Sequence, residues 1–217
     1  MLKIYGANLS APANKVRMAA NALGLEYEYV QVNIREGENR KERYLKLHPA
    51  GKIPVIDDNG FILFESDAII KYLAATEISP LYPDEVKIKA CIDQWMDFTA
   101  IHIGGAMGKV LFNRVFASFI KVPVDERALN DGVNFLKRFL PVMDRQIAEG
   151  GYVAGENFTI ADIALLATID PAEVAGVEMD HYKHIREWFA KLIQKDFYTR
   201  CHRSYEAALK KMLSGAV

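Results

Sequence analysis

Two serines stand directly before predicted helices, where a hydroxyl and free backbone N–H groups can act together. Ser10 lies in the loop between a short strand pattern and the first helix, and Ser66 precedes a helical pattern with Ile69 and Ile70. Helix capping is the ordinary role of such a serine. The first turn of a helix also has unpaired N–H groups and partial positive charge, which favour a bound anion. The sequence therefore indicates two potential anion sites at helix starts.

Other reactive residue types have structural interpretations. Arg35, Arg40, Lys41 and Arg43 form a basic cluster that is either a solvated face or part of an anion site. Thr159 and Asp162 are spaced as an N-cap and N3 pair, a capping box with a folding role. The two cysteines, Cys91 and Cys201, are far apart, form no Cys-x-x-Cys pair and give no disulfide framework, so we expect two buried free thiols.

The composition excludes several classes of function. The chain has 217 residues, of which 51% are hydrophobic and 25% charged, and its formal net charge is −1. A near-neutral protein lacks the field that attracts nucleic acid or anionic lipid, so we expect neither as a partner. We identify no metal-ligand pattern, no secretory signal and no apolar run long enough to span a membrane. A soluble, cytoplasmic protein of one large or two small domains is the expectation.

Strand and helix patterns divide the chain into two halves. Residues 1–77 predict the order β-α-β-α-β-β-α, with a hairpin at Asp58-Asn59-Gly60, and residues 78–84 contain two prolines and indicate a linker. Residues 85–217 are dominated by helical periodicity. We expect glycines to weaken the middle of the first long helix, and Pro141 to kink or break the second. The predicted fold is an α/β domain followed by an all-α domain.

Three segments together resemble the cytosolic glutathione transferase family. The first runs from Tyr5 to Pro12, followed by Lys15-Val16-Arg17; the second runs from His48 to Val55, followed by Phe64-Glu65-Ser66-Asp67-Ala68-Ile69. The third comprises Tyr152-Val153-Ala154-Gly155 and the segment from Phe158 to Ile163. The first segment is similar to the serine-type classes (phi, theta, delta), in a bacterial-type member. The resemblance implies a thioredoxin-like N-terminal domain, an all-helical C-terminal domain and glutathione as co-substrate.

In the family, a serine at the position of Ser10 donates a hydrogen bond to the sulfur of glutathione. A free thiol has a pKa of ~8.5, so little thiolate is present at neutral pH. A donor aimed at the sulfur favours the anion, and lowering the pKa by ~2 units corresponds to roughly 2.7 kcal/mol. The resemblance thus implies that Ser10 stabilises the nucleophile of the substrate. Capping of the helix by the same hydroxyl is the alternative.

The resemblance also implies the residues that hold the tripeptide. Ile53 and Pro54 correspond to a cis-proline step whose main chain binds the cysteinyl part, and Glu65 with Ser66 binds the γ-glutamyl end. Lys52 and Arg40 are the candidate partners of the glycyl carboxylate. Two departures put contacts in doubt: Asn39 stands where a histidine is usual, and Asp67 stands where an arginine is often found. The Asp67 carboxylate either hinders binding or is directed elsewhere.

The family also implies a pocket between the domains for a small hydrophobic electrophile. Its candidate walls are Leu9, Met107, Leu111, Phe112 and Arg114, each of which is equally an ordinary helix or loop residue. A homodimer is expected from the family, with Phe61, Phe64 and the first C-terminal helix as the suspected surfaces. The predicted function is transfer of the glutathione thiolate to an electrophile.

Two other functions remain open at this point. The second segment also resembles the transferase-like domain of a translation elongation factor subunit, so a non-catalytic interaction module is the alternative function. A glutathione-dependent thiol-disulfide reductase would need a cysteine at the position of Ser10, which neither Cys91 nor Cys201 can supply.

Overall fold

The computed structural model describes residues 1–213, which form two compact units. The first unit contains Met1–Pro83 together with the described residues from Lys195 onward, and the second contains Asp84–Gln194. The last four residues of the predicted C-terminal domain, 214–217, lie outside the described residues. The boundaries predicted from sequence (1–77, 78–84 and 85–217) stay a prediction.

The first unit is built on a four-stranded mixed sheet in the order β2-β1-β3-β4. The strands are β1 (Leu2–Gly6), β2 (Tyr27–Gln31), β3 (Val55–Asp58) and β4 (Phe61–Phe64). β1 pairs with β2 in parallel, and β3 pairs antiparallel with both β1 and β4. The predicted order of strands and helices and the thioredoxin-like fold class are confirmed.

The predicted hairpin joins β3 to β4 through a two-residue loop. Asp58 pairs with Phe61, so the loop consists of Asn59 and Gly60, which have φ angles of 53° and 95°. Positive φ at both central residues matches the twist of the flanking strands and is accepted most readily by an Asn-Gly pair. The loop therefore fixes the register of β4 against β3.

The helices of this unit are α1 (Ala11–Ala22), α2 (Glu42–Leu45), α3 (Ser66–Thr76), α10 (Asp196–Thr199) and α11 (Tyr205–Leu213). A single 3-10 turn covers Glu38–Arg40. α1 buries Val16, Ala19 and Ala20, as the helical spacing predicted. α10 packs on α1, and its Phe197 and Tyr198 are both buried. Residues near the C-terminus thus belong to the core of the N-terminal unit.

The second unit is helical throughout the residues that the structure describes. Its elements are α4 (Val86–Phe98), a π-helical segment (Thr99–Gly104), α5 (Gly105–Leu111), a second π-helical segment (Phe112–Phe116), α6 (Ala117–Phe119), α7 (Glu126–Gly150), α8 (Ile160–Ile169) and α9 (Lys183–Leu192). The predicted all-helical character is confirmed.

Three expectations about this unit are wrong in detail. Gly104 and Gly105 do not interrupt the first long helix, because π-helical segments carry the chain from α4 through to α6. The predicted break at Pro141 is absent, since α7 runs through that residue to Gly150. Cys91 is exposed rather than buried, because α4 turns Ile92 and Met96 inward instead, and Cys201 in the first unit is half-buried.

The predicted capping box at the start of α8 is confirmed and extends further than the sequence indicated. Thr159 caps the helix, and Asp162 accepts from the Thr159 N–H at 2.8 Å. The same carboxylate accepts from the Val153 N–H and from the Trp188 indole N–H, both at 2.9 Å. Asp162 is fully buried, so one side chain joins α8, the preceding loop and α9.

Burial of Asp162 has a consequence for the pH dependence of stability. Desolvation raises the pKa of this carboxyl to about 6, and the four donated hydrogen bonds oppose the increase. Because the folded protein binds this proton more tightly than the unfolded chain does, the group lowers the free energy of unfolding as pH rises from about 4 to about 6. Carboxyl NMR of the folded protein, with the signal assigned by Asp162→Asn, should show titration near pH 6. Titration below pH 4 contradicts this prediction.

Close contact between α5 and α7 depends on a glycine. A Cβ built on Gly132 would lie 2.9 Å from the Ala106 carbonyl oxygen and 2.9 Å from Val110 Cγ2. We expect Gly132→Ala to lower the free energy of unfolding by about 1–3 kcal/mol, although alanine favours a helix. The matched control is Gly108→Ala, whose Cβ meets no atom within 4 Å; it should stabilise by about 0.5–1 kcal/mol. Urea unfolding of both variants tests the pair, and equal signs contradict it.

Candidate active site

The sheet register brings the predicted glutathione-binding residues to one end of the sheet. Tyr5 pairs with Val55, and Val55 pairs with Phe64, so the end of β1, the start of β3 and the end of β4 lie side by side. The segments just beyond this row contain the remaining candidates: Ser10, Ile53, Pro54, Glu65 and Ser66. β2 ends at the same edge because it is parallel to β1, and Arg40 follows it.

Ser10 is the N-cap of α1. Its hydroxyl oxygen accepts from the Ala13 N–H at 3.3 Å, and the residue is half-buried. A hydroxyl has one hydrogen and two lone pairs, so accepting from Ala13 leaves its hydrogen available to a further acceptor. Capping and donation to a sulfur therefore use different parts of the same group and do not compete. Pro12 has no N–H, which leaves the Ala11 N–H as an additional free donor in this first turn, within the described chain.

The segment before the cis bond is fixed by its main-chain carbonyls and amides. Asn39 donates to the Gly51 carbonyl at 2.6 Å, and the buried Tyr44 hydroxyl donates to the Lys52 carbonyl at 2.9 Å. Burial raises the pKa of Tyr44, so the phenol keeps the proton that it donates. The buried His48 ring accepts from the Ala50 N–H at 3.2 Å, so the whole turn before Ile53 is held in place.

The peptide bond between Ile53 and Pro54 is cis, as the resemblance predicted. Pro54 is buried, and the Ile53 side chain packs on the cluster of Val32, Tyr44 and Val55. Neither the N–H nor the C=O of Ile53 has a partner among the described residues. An extended peptide could therefore pair with Ile53 as an added strand does.

The start of α3 differs by one residue from the sequence prediction. Ser66 is the first residue of the helix, and Glu65 occupies the cap position with φ 70° and ψ 112°. The expectation that Ser66 is the N-cap is thus wrong. No side chain of the described residues caps this helix, which leaves the Ser66 hydroxyl and the N–H groups of its first turn available to an anion. The exposed Glu65 carboxylate lies beside them in the sequence.

The unusual Asp67 carboxylate is paired with a lysine of α1. Lys15 Nζ lies 2.7 Å from Asp67 Oδ1, and the two side chains are 8% and 27% exposed. The pair joins α1, which begins beside Ser10, to the first turn of α3. The negative charge of Asp67 is therefore compensated by Lys15. Spacing gives no signal for a contact across 52 positions, although a lysine on the buried face of α1 was an indication.

Removing one partner should cost more than removing the other. Asp67→Asn leaves the more buried Lys15 ammonium unpaired and should lower the free energy of unfolding by about 2–4 kcal/mol. Lys15→Met should cost less, because Asp67 can hydrate and methionine preserves the packing of the side-chain stem. The control is Lys46→Met, which removes an exposed pair with Glu42 and should have no measurable effect. Equal costs for all three variants contradict a buried ion pair.

The candidate cations are exposed. Arg40 ends the 3-10 turn and Lys52 precedes Ile53, and neither forms an ion pair within the described part of the chain. Asn39 is committed to the Gly51 carbonyl. Arg43 of the basic cluster pairs with Glu38. Arg40 and Lys52 thus remain available for a carboxylate, whereas Asn39 holds the loop.

The candidate electrophile-binding residues lie in both units. Leu9 is half-buried in the first unit, and Met107 is buried in the interior of the second. Leu111 is half-buried, and Phe112 is exposed. Arg114 donates to the carbonyls of Ala175 and Gly176 at 2.8 and 2.6 Å, and it lines a cavity of about 440 Å³ in the helical unit that the other four do not line. A pocket formed by all five residues stays a prediction.

Residues that the sequence did not single out hold the turn that contains Ser10. Asn14 donates to the Asn8 carbonyl at 2.9 Å, and Tyr205 donates to the Leu9 carbonyl at the same distance. Asn14 is four residues beyond Ser10, a spacing that places it on the next turn of the helix. No pattern in the sequence connects Tyr205 with a residue 196 positions earlier.

Two sequence models of one family match the chain. The model of the glutathione S-transferase N-terminal domain matches residues 1–75, and the model of the C-terminal domain matches residues 128–191. Together they cover more than half of the chain, in the order that the resemblance predicted. The chain belongs to the glutathione S-transferase family, whose members are enzymes that use glutathione as co-substrate.

Solved structures of the same family are similar over nearly the whole chain. A delta-class glutathione transferase of Nilaparvata lugens is 27% identical, with a TM-score of 0.85 and coverage of 100% of both chains. Glutathione S-transferase I of maize, in complex with an atrazine glutathione conjugate, is 25% identical, with a TM-score of 0.84 and coverage of 97% of this chain and 98% of that one. Glutathione transferase F7 of Populus trichocarpa shares the fold at 22% identity, with a TM-score of 0.86 over 93% of this chain and 97% of that one.

Two searches concern other kinds of site. Over the described residues, no helix combines the length and the hydrophobicity that crossing a membrane requires. In the same part of the chain, no group of three or more His, Cys, Asp or Glu side chains is arranged to hold a metal ion.

Proposed function

We propose that the protein transfers the glutathione thiolate to a small hydrophobic electrophile and that Ser10 stabilises the thiolate. The observation that supports this most directly is the state of the Ser10 hydroxyl, which caps α1 while its hydrogen remains free for a sulfur. The first turn of α1 adds the Ala11 N–H and the partial positive charge of the helix start. Both favour the anionic form of a thiol placed there.

The tripeptide is held along the end of the sheet in the order of its residues. The free N–H and C=O of Ile53, beside Pro54, pair with the cysteinyl residue. Ser66 and the uncapped first turn of α3 bind the γ-glutamyl carboxylate, and Glu65 accepts from the γ-glutamyl ammonium. Lys52 and Arg40 attract the glycyl carboxylate.

The reaction needs little further chemistry from the protein. The thiolate attacks an electrophilic carbon, the carbon–sulfur bond forms, and the leaving group departs with the bonding electrons. Fixing the two reactants together supplies much of the remaining acceleration. The same site can serve dehalogenation or isomerisation, because the fold does not determine the reaction. Leu9, Met107, Leu111, Phe112 and Arg114 are the proposed surroundings of the electrophile.

Several finer properties are also part of the proposal. The chain is a serine-type member (phi-, theta- or delta-like) of bacterial type, it acts in the cytoplasm, and it is a homodimer. The exposure of Phe61 (50%) and Phe64 (38%) on β4 supports their assignment to the dimer surface. The domain division at 1–77 and 85–217 is retained as the functional division between the glutathione and electrophile sides.

A coupled binding and turnover measurement tests the proposal. Isothermal titration with glutathione should give a saturable site, and addition of an activated aryl chloride should release chloride and yield the aryl thioether at a rate proportional to enzyme. Binding without conjugation of any of a panel of aryl, alkyl and epoxide electrophiles contradicts the transferase function. Absence of binding favours the interaction-module alternative.

A further inference from the structure

The turn that carries Ser10 has each of its two central carbonyls bound by a side chain. The turn Ala7–Ser10 is closed by the Ser10 N–H, which donates to the Ala7 carbonyl at 2.9 Å. Its central residues, Asn8 and Leu9, have carbonyls that cannot bond to each other or to the sheet. Asn14 donates to the first and Tyr205 donates to the second, both at 2.9 Å.

The Asn14 amide is oriented so that it must act as this donor. Its Oδ1 accepts from Arg17 at 3.2 Å, and an arginine can only donate, which assigns Nδ2 to the Asn8 carbonyl. Asn14 is 1% exposed, and its amide nitrogen also lies 3.5 Å from His202 Nδ1. Arg17 is fixed in turn by the Tyr29 ring, 4.4 Å from its guanidinium carbon.

The second donor comes from the other end of the chain. Tyr205 is the first residue of α11, is 3% exposed, and lies in the same compact unit as the sheet. Its position is fixed by the segment before it: Asn21 of α1 donates to the Phe197 carbonyl at 3.0 Å, and the His202 ring lies between the Tyr198 and Tyr205 rings. The phenol is therefore held where its hydroxyl meets the turn.

We propose that Tyr205 is a positioning residue for the thiolate site, acting through the Leu9 carbonyl on the Ser10 hydroxyl. The proposal rests on the proposed function of Ser10. The Leu9 carbonyl belongs to the peptide bond whose nitrogen is that of Ser10, so a rotation of this peptide moves the hydroxyl directly. Loss of the phenolic donor leaves a partly buried acceptor unsatisfied, and the turn is expected to rotate to hydrate it.

The effect should appear in the chemical step and not in binding of the tripeptide. Ile53, Glu65 and Ser66 lie on other segments, so the proposed contacts of glutathione are retained when the turn shifts. Displacement of a catalytic group by a fraction of an ångström lowers the rate without changing ground-state binding. A shifted donor also stabilises the thiolate less, which raises the pKa of the bound thiol.

The test compares Tyr205→Phe with Tyr27→Phe in the full-length protein. Tyr27 is the matched control because its hydroxyl donates to Asn21, at the last turn of α1, and not to the turn that carries Ser10. We expect Tyr205→Phe to lower kcat about 5- to 10-fold, to raise the pKa of the bound thiol, and to leave KM for glutathione within twofold. Tyr27→Phe should keep kcat within twofold.

Amide hydrogen exchange without glutathione separates this proposal from the function on which it rests. Peptides covering residues 7–14 should exchange at least several-fold faster in Tyr205→Phe than in Tyr27→Phe. Unchanged exchange, or unchanged kcat and thiol pKa in Tyr205→Phe, overturns the positioning role. A wild-type protein that leaves the glutathione thiol pKa unshifted contradicts the proposed function instead, and the exchange result then decides whether Tyr205 holds the turn.

Discussion

Ser10→Ala should lower kcat/KM for conjugation at pH 6.5 by about 30- to 100-fold. A thiol with a pKa near 6.5 is half ionised at this pH, whereas a thiol near ~8.5 is about 1% ionised. Removing the hydroxyl donor takes away the group proposed to produce this difference. The pH–rate profile of the variant should rise with an inflection close to that of free glutathione. Steady-state kinetics across pH 5.5–9 gives both quantities.

The capping role of the same hydroxyl requires a second variant. Ser10→Asp keeps an oxygen that accepts from the Ala13 N–H, but it has no hydrogen to donate and repels a thiolate. We expect Ser10→Ala to lower the free energy of unfolding by about 1 kcal/mol and Ser10→Asp to leave it nearly unchanged. Both should lose activity. Retention of wild-type activity in either variant means that Ser10 only caps the helix.

Asp162→Ala should lower the free energy of unfolding by about 3–5 kcal/mol at pH 7. The substitution removes the acceptor of the Val153, Thr159 and Trp188 N–H groups, all of which are buried. Each buried donor without a partner costs about 1–3 kcal/mol, and the loop, α8 and α9 lose their common contact. Urea unfolding followed by the Trp188 fluorescence measures the loss. A loss this large is a substantial part of the stability of a protein of this size.

The matched control is an exposed aspartate on a neighbouring helix. Asp131 lies on the surface of α7, and Asp131→Ala should change the free energy of unfolding by less than about 0.5 kcal/mol. The glutathione-binding residues lie in the other unit, so binding at low temperature should persist wherever Asp162→Ala is folded. A loss below about 1 kcal/mol for Asp162→Ala contradicts the role of this carboxylate.

Local patterns in the sequence were sufficient for the sheet and for the location of the site. The Asn59-Gly60 loop and the alternation around it specify the hairpin, and the hairpin register places Phe64, and hence Glu65, beside Val55. The cis bond at Pro54 and the cap at Ser10 are properties of short segments too. Each depends on residues close in sequence, where turn chemistry and helix capping act.

Contacts between distant residues could not be predicted in the same way. The Lys15–Asp67 pair and the Tyr205–Leu9 hydrogen bond join residues 52 and 196 positions apart. Burial patterns also misled where tertiary packing overrides local preference: Cys91 is exposed, and Pro141 lies within a continuous helix. α7 keeps its course because its other residues pack against α5 and α9. Such positions are decided by the neighbouring elements and not by the local sequence.

The central claim is that the site lowers the pKa of the glutathione thiol. The direct measurement is the ultraviolet absorbance of the thiolate, recorded as a function of pH for glutathione bound to the wild-type protein and to Ser10→Ala. We predict that the thiol bound to the wild type ionises at or below neutral pH and that Ser10→Ala abolishes this shift. A bound thiol that ionises with the pKa of free glutathione contradicts the assignment of Ser10 and of the thiolate site.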